Sequence, residues 1–290
     1  MTVDTIRNNR QKSFSQLLLA PGVFWMLLFL VAPIVMIIYV SFWTQTTFSI
    51  NSTLTLASWK NFFSSEAYVG ALWTTLRLWL IVLSLTFIIG YPAALFVGLL
   101  VKSKTLATVL LVLCVIPFWT SFLIRVLAWR PMLGKEGAIN IILQKLGLIN
   151  TPIEALLFSE LSVVIGMTQI YVVFMVGPIA FMLGRIDRNI IEAARDLGAG
   201  FGRIFWKIIF PLSLPGVVVG AIFVSVMVLG EFATSGALSG RKVNLLGNII
   251  VTQVGSLKWA MASVVGVILT FLLAVVVAGF LRIVDLKSEL

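Results

Sequence analysis

Few residues in this chain have the type and setting to do chemistry, and Glu231 is the first of them. It follows the apolar run Val217 to Gly230 and is the acidic residue most clearly inside a membrane-length stretch. A carboxylate at mid-membrane costs about 2.5–3.5 kcal/mol on insertion scales, so it is kept where it faces a cavity or has a partner. Two roles are open. Glu231 can line a pathway and offer a negative site to a cationic amine. It can instead pair with Arg77 or Arg125, or lie close enough to the interface to be solvated. Trp73, Trp119, Tyr171 and Trp259 stand near the ends of apolar runs, where aromatic rings anchor a helix at the interface or stack on a cationic solute. Trp119, Tyr171 and Arg125 join Glu231 as pathway candidates, because the third and fourth apolar runs are expected to contribute to it. Other chemistry is excluded by composition. There is no histidine, so Ser-His-Asp, Cys-His and histidine-zinc sites are absent. The single cysteine, Cys114, lies in an apolar run and can form neither an internal disulfide nor a cysteine metal cluster. No catalytic residue and no metal site is predicted.

The second place of interest is the polar segment Arg185 to Pro211. Asn189 followed three residues later by Glu192 resembles a capping box with Asn in place of Ser or Thr. Glu192 would then sit near the positive end of a helix dipole. A short helix is predicted to about Leu197, broken by Gly198 and Gly200. Phe201, Ile204, Phe205, Ile208 and Ile209 follow at i, i+3, i+4, i+7 and i+8, one apolar stripe of a second helix. Pro211 is predicted to end it. This helix–turn–helix suits either the docking of another protein or an interfacial helix on its own membrane domain.

The elements that position these residues are membrane helices. The chain has 290 residues, 60% hydrophobic and only 11% charged, with mean hydropathy +1.10. A soluble domain carries about 25% charged residues, so the medium around most of this chain is lipid. Spanning a bilayer takes about 20 apolar residues. Six stretches qualify: about Leu17 to Phe42, Leu72 to Val101, Leu106 to Trp129, Ser162 to Leu183, Leu214 to Ala233 and Trp259 to Leu281. The first is too long for a signal-peptide core and lacks a small-residue cleavage site, so it reads as a retained helix.

The net charge of +10 sits in the short gaps between spans, which is topology rather than nucleic-acid binding. Arg7, Arg10, Lys12, Lys102, Lys104, Arg185, Arg188, Arg195, Arg203, Lys207, Arg282 and Lys287 fall on one side. Fewer cations, among them Arg130, Lys135, Arg241 and Lys242, fall on the other. Both termini are therefore expected inside. An apolar periodic segment, Ala138 to Leu146, predicts a short helix at the outer surface. Pro33, Gly90, Pro92, Pro117, Gly166, Gly177 and Pro178 fit ordinary membrane-helix composition or kinks that open a path. No internal repeat and no phosphate-binding Gly-rich loop is present, and Leu238-Ser-Gly-Arg241 matches an ATPase signature only faintly.

The polar segment resembles the signature loop of binding-protein-dependent ABC importer permeases. Glu192-Ala193-Ala194, Gly198, Ile208 and Pro211 fall at that family's spacing, with Phe210 where Leu is usual. Pro117 to Arg125, Gly147 to Ile153 and Leu245 to Ile250 resemble the spermidine/putrescine permease branch. The resemblance implies an all-α membrane protein with about six spans, a type I importer permease in a bacterial inner membrane, with both termini cytoplasmic. It implies a permease domain over residues 17–284 with a coupling loop at 185–211, between tails 1–16 and 285–290. Glu192, Ala193, Ala194, Asp196, Gly198, Ile208 and Pro211 would couple to a cytoplasmic ABC ATPase dimer. Further implied partners are a second permease subunit, identical or homologous, an extracytoplasmic solute-binding protein and membrane lipid, with no nucleic acid. ATP and Mg would belong to the ATPase, and this chain holds no cofactor. A polyamine or related amine or amino-acid-like compound is the implied solute. The reading from a different class is a secondary transporter or channel working without an ATPase.

Overall fold

A computed structural model of the protein describes residues 21–45 and 50–283; the two expected tails, 1–16 and 285–290, lie outside the described residues. By Cα proximity the chain divides into two units, one of residues up to Ser65 with Gln253–Ile268, the other of Glu66–Thr252 with Leu269 onward.

In the first unit, helix α1 (Pro21–Val40) is apolar on every face and its membrane-length window buries no residue. A π turn interrupts it at Leu27–Val31. The Ser/Thr-rich stretch that follows forms a strand pair, β1 (Trp43–Gln45) antiparallel to β2 (Ile50–Leu54), an addition to the all-helical expectation. Helix α2 (Ala57–Ser64) folds back so that Trp59 donates its indole N–H to Ser41 Oγ at 3.3 Å.

The second unit is organised around α8 (Glu160–Leu183), the helix with the most buried membrane-length window. Ser159 caps its first turn, accepting from the Ser162 N–H at 3.2 Å. Helix α3 (Glu66–Leu100) and helix α10 (Phe201–Leu229) pack along it. Lipid offers no hydrophobic drive between helices, so close backbone approach and polar links hold such a bundle. Both are present. A Cβ on Gly98 would meet the Ala180 carbonyl at 2.6 Å, and one on Gly216 the Pro178 carbonyl at 2.6 Å. Trp79 donates to Ser225 at 2.8 Å and the Tyr91 hydroxyl shares a 2.8 Å hydrogen bond with Ser213, both between α3 and α10. Helix α13 (Trp259–Ile283) supplies the last apolar span and contributes to both units.

One expected span is broken and another has shifted. The third was expected as one helix from about Leu106 to Trp129. Instead α4 (Lys104–Val115) tightens into a 3-10 turn at Ile116–Trp119, and α5 (Phe122–Leu127) leaves at a bend of 94°. Pro117 lacks the N–H that would continue the α-helical ladder, and Thr120 and Ser121 turn extended. The fifth was expected from Leu214 to Ala233; α10 runs from Phe201 to Leu229 and stops at Gly230. Short helices follow the break and the end of α10: α6 (Trp129–Leu133), α7 (Ala138–Lys145), α11 (Ala233–Leu238) and α12 (Leu246–Gly255). Helix α7 forms where the apolar periodicity predicts it. The result, among the described residues, is five helices of membrane-spanning length and a sixth span if the bent pair is counted as one.

Candidate functional site

The polar segment forms α9 (Arg188–Asp196), a bend, and the start of α10. Its cap differs from the expected one. Asp187, two residues before Asn189, accepts the Asn189 N–H at 3.0 Å; Asp is among the preferred capping types, so the signal was in the sequence. Gly198 takes φ +78° just past Leu197, a left-handed turn that suits glycine. The stripe of the second helix divides: Ile204 and Ile209 are buried, Phe201 is exposed. Pro211 does not end this helix. A π turn over Phe205–Ile209 precedes the ring, and α10 continues through it to Leu229. Such a turn lets a helix absorb a defect without stopping.

Two residues fix this segment to the bundle. Ile191 is buried. Arg188 donates to the carbonyls of Leu99 (3.1 Å) and Val101 (3.3 Å), the free end of α3. A cleft of about 290 Å³, lined by Lys102, Glu192 and Arg195 among others, lies between them. Glu192, Ala193, Asp196 and Gly198 are exposed on the side left free, Ala194 and Ile208 are partly covered, and Pro211 is exposed. Leu197, 88% exposed at the bend, is an apolar knob with nothing over it. Arg188 was read from sequence only as a topological charge; its clamp on α3 is a tertiary fact.

The other candidates gather where the third span breaks and where α10 ends. Glu231 lies beyond the end of α10 rather than inside the helix, because Gly230 terminates it, yet its residue is only 5% exposed. One carboxylate oxygen accepts the Tyr171 O–H from α8, and the other accepts the Thr234 N–H at 2.7 Å. Arg125 itself lies 4.7 Å over the Phe118 ring, and its buried Nε has no hydrogen-bond partner among the described residues. Phe118 meets Phe174 edge-on at 5.1 Å on the wall of an apolar cavity of about 410 Å³ that also includes Cys114. Arg77, one expected partner of Glu231, pairs with Glu160 instead. Trp119 is 89% exposed on the 3-10 turn, and no hydrogen bond or ring contact among the described residues joins it to Glu231. Trp73 and Trp259 are also exposed.

Residues missed from sequence complete the arrangement. A Cβ on Gly247 would stand 2.5 Å from the Glu231 carbonyl oxygen, so only glycine lets α12 approach the break. The Leu246 N–H donates to Thr75 Oγ1 of α3 at 3.0 Å, and Ser235 donates to Asn248 at 2.8 Å. Gly247 and Asn248 lie in the Leu245 to Ile250 stretch that resembles the permease branch, and only the tertiary contacts explain why.

A bundle of apolar helices with one broken span, a buried carboxylate just past the end of α10 and an exposed helix–turn–helix at the other end of α10 defines a polytopic membrane permease. Residues 90–289 match the family of binding-protein-dependent transport system inner membrane components, and the chain belongs to that family. It is a multi-pass inner-membrane protein that forms the pathway for a small solute. It is 32% identical to the spermidine/putrescine transport system permease protein PotB of Haemophilus influenzae over 260 residues, 89% of this chain and 90% of that protein. In fold it is similar to a bacterial ABC transporter that imports the acidic polysaccharide alginate (TM-score 0.74, 18% identity, 97% of this chain and 98% of that one). A second structure, the alginate transporter in complex with a pentasaccharide-bound periplasmic protein, matches with TM-score 0.69 at 16% identity, covering 95% of each chain.

Proposed function

We propose that this permease serves an ATP-driven importer of polyamines or related small amines, with α9 and its bend as the seat of a cytoplasmic ATPase. The observation that carries this reading is the exposed face of Glu192, Ala193, Asp196, Leu197 and Gly198 on a segment clamped to α3 by Arg188. A partner that moves α9 would move α3 with it, and through the tight contact at Gly98 also α8. Rigid-body switching of that kind is how such transporters alternate between states. The amine solute is supported by the printed function of the PotB relative. It is also supported by Glu231, a buried carboxylate with hydrogen bonds but no ion pair within 4.0 Å among the described residues. A second permease subunit and a solute-binding protein on the outer side complete the assembly, both termini being inside.

The test is co-purification from the native membrane, scored for a bound ATPase, with wild type beside the Glu192→Ala/Gly198→Asp double variant. An ATPase that accompanies wild type and is lost from the variant is the expected result. A well-folded wild type that never carries an ATPase overturns the reading in favour of a secondary transporter. Uptake of labelled spermidine and putrescine into proteoliposomes of the intact complex then tests the solute.

A further inference from the structure

The irregular backbone after α10 holds a carboxylate without a cation, and the broken third span holds a guanidinium without an acid. Glu231 takes its hydrogen bonds from two neutral donors, the Tyr171 hydroxyl and the Thr234 N–H. Arg125, in the last turn of α5, makes no ion pair within 4.0 Å among the described residues, and its buried Nε has no hydrogen-bond partner there. Its guanidinium rests instead 4.7 Å over the Phe118 ring. A ring face attracts the charge, yet it offers no acceptor to the planar fork of N–H donors.

One face of α8 joins the two charges. Tyr171 and Phe174 are three residues apart, neighbours on the helix surface. Tyr171 holds Glu231, while Phe174 meets edge-on the same Phe118 ring that carries Arg125. The short helices meet as well: α5 packs against α11, which starts at Ala233 just past Glu231, and α11 packs against α8. Arg125 also has freedom to move. Extended residues Thr120 and Ser121 join α5 to the 3-10 turn, so α5 is not continuous with α4. The arginine stem adds its own rotamers.

We propose that Arg125 is the internal rival of the solute amine for Glu231: in the releasing conformation its guanidinium leaves Phe118, pairs with the Glu231 carboxylate and displaces the amine. The inference rests on the reading of Glu231 as an amine site. The conformation described here holds the two charges apart and is the one that accepts solute. A site that bound the amine equally in both conformations would not release it, since a ligand is moved only by a difference in affinity between states. Arg125 supplies that difference from within the chain. Opposite charges at membrane depth pair with one another, and breaking a buried pair without a replacement is costly. The swap therefore lets the amine depart without leaving an unpaired carboxylate behind.

The test uses the complete complex, in nanodiscs for binding and in proteoliposomes for uptake, with labelled spermidine and putrescine as probes and assembly scored by retention of the ATPase. Arg125→Gln removes the rival. It is expected to bind the probes about tenfold tighter, with KM and maximal uptake rate both about tenfold lower, because release then limits turnover. A damaged site binds more weakly, so a folding defect moves this readout the other way. Arg125→Met, which keeps an apolar stem over Phe118, is expected to match Arg125→Gln, and Arg125→Lys, which restores a cation, to recover most of the maximal rate. In a Glu231→Gln background, Arg125→Gln is expected to change binding by less than about twofold, because both residues act through one carboxylate. Unchanged or weaker binding in the neutral variants overturns the proposal, as does a tightening that persists with Glu231→Gln. If neither neutral variant assembles, Arg125 is a structural post and the proposal falls. A wild-type complex that takes up neither probe fails the amine reading itself. Wild-type uptake with unaltered Arg125 variants sinks the rival alone.

Discussion

Glu231 accepts from two donors, and both oxygens are used. Glu231→Gln therefore does more than remove a charge: one amide group must face a donor, and an unsatisfied buried donor costs about 1–3 kcal/mol. The expected outcome is a sharp fall in uptake, about tenfold, in a complex that still assembles. Wild-type uptake would remove Glu231 from the pathway. Tyr171→Phe keeps the buried ring but deletes the hydroxyl, so it is expected to lose about 1 kcal/mol of stability, the usual worth of one hydrogen bond, with an intermediate loss of uptake. Thermal unfolding beside transport separates the two effects. At Lys135 and Glu154 the charges are exposed and meet at 2.6 Å. The hydrogen bond and charge of Lys135 hold the Glu154 carboxyl below its ordinary range, and Glu154 holds the Lys135 amine above its own. The Glu154 contribution is present above the free carboxyl range and is lost as pH falls through the depressed value. The Lys135 contribution is present below the free amine range and is lost as pH rises through the raised one. The tie is thus constant through neutral pH, and Lys135→Ala is expected to leave the unfolding temperature within about 1 °C.

Among elements, α8 is the one that others are fitted to. Helices α3 and α10 reach it at glycines whose Cβ would strike a carbonyl oxygen of α8. Gly216→Val is expected to push α10 off α8 and cost about 1–3 kcal/mol, the range for overpacking, read as a lower melting temperature on size exclusion. Gly177→Ala on α8 itself, with nothing within 4 Å, is the control expected to change neither stability nor yield. The broken third span and the irregular backbone after α10 are a different kind of element. Irregular backbone is tolerated at membrane depth only where protein or a cavity covers it. Here α5 and α11 pack together beside α8 and supply that cover. Gly247→Ala, at 2.5 Å from the Glu231 carbonyl, is expected to disrupt this packing and lower uptake together with the melting temperature.

At the scale of the molecule, the proposed orientation separates the α9 bend from Lys242 by the membrane. Cys114, the single cysteine, can be replaced by serine to give a clean background for labelling. A cysteine at Asp196 is expected to react with an impermeant maleimide only from the cytoplasmic side, and one at Lys242 only from outside. Reaction of both from one side would overturn the orientation and, with it, the assignment of partners to the two ends of α10.

Sequence by itself determined what is governed by solvent and local geometry. Apolar runs of membrane length placed the spans, because a lipid-exposed backbone must satisfy its own hydrogen bonds as helix. Gly198 ended α9 because a left-handed residue there is easiest for glycine. Glu192 to Pro211 gave the family, because spacing along a chain is itself a sequence property. Tertiary structure alone decided the rest. Pro117 broke its span while Pro211 and Pro215 did not, since a helix survives a missing N–H when its neighbours and a π turn absorb the defect. Glu231 took Tyr171 and Thr234 rather than an arginine. Arg188 and Arg130, two of the chain's 21 cations, became clamps on carbonyls of α3 and α11. Partners more than 100 residues apart in sequence, as Arg130 and Ala237 are, meet only through packing, and no local pattern encodes which of many equivalent charges will find which free carbonyl.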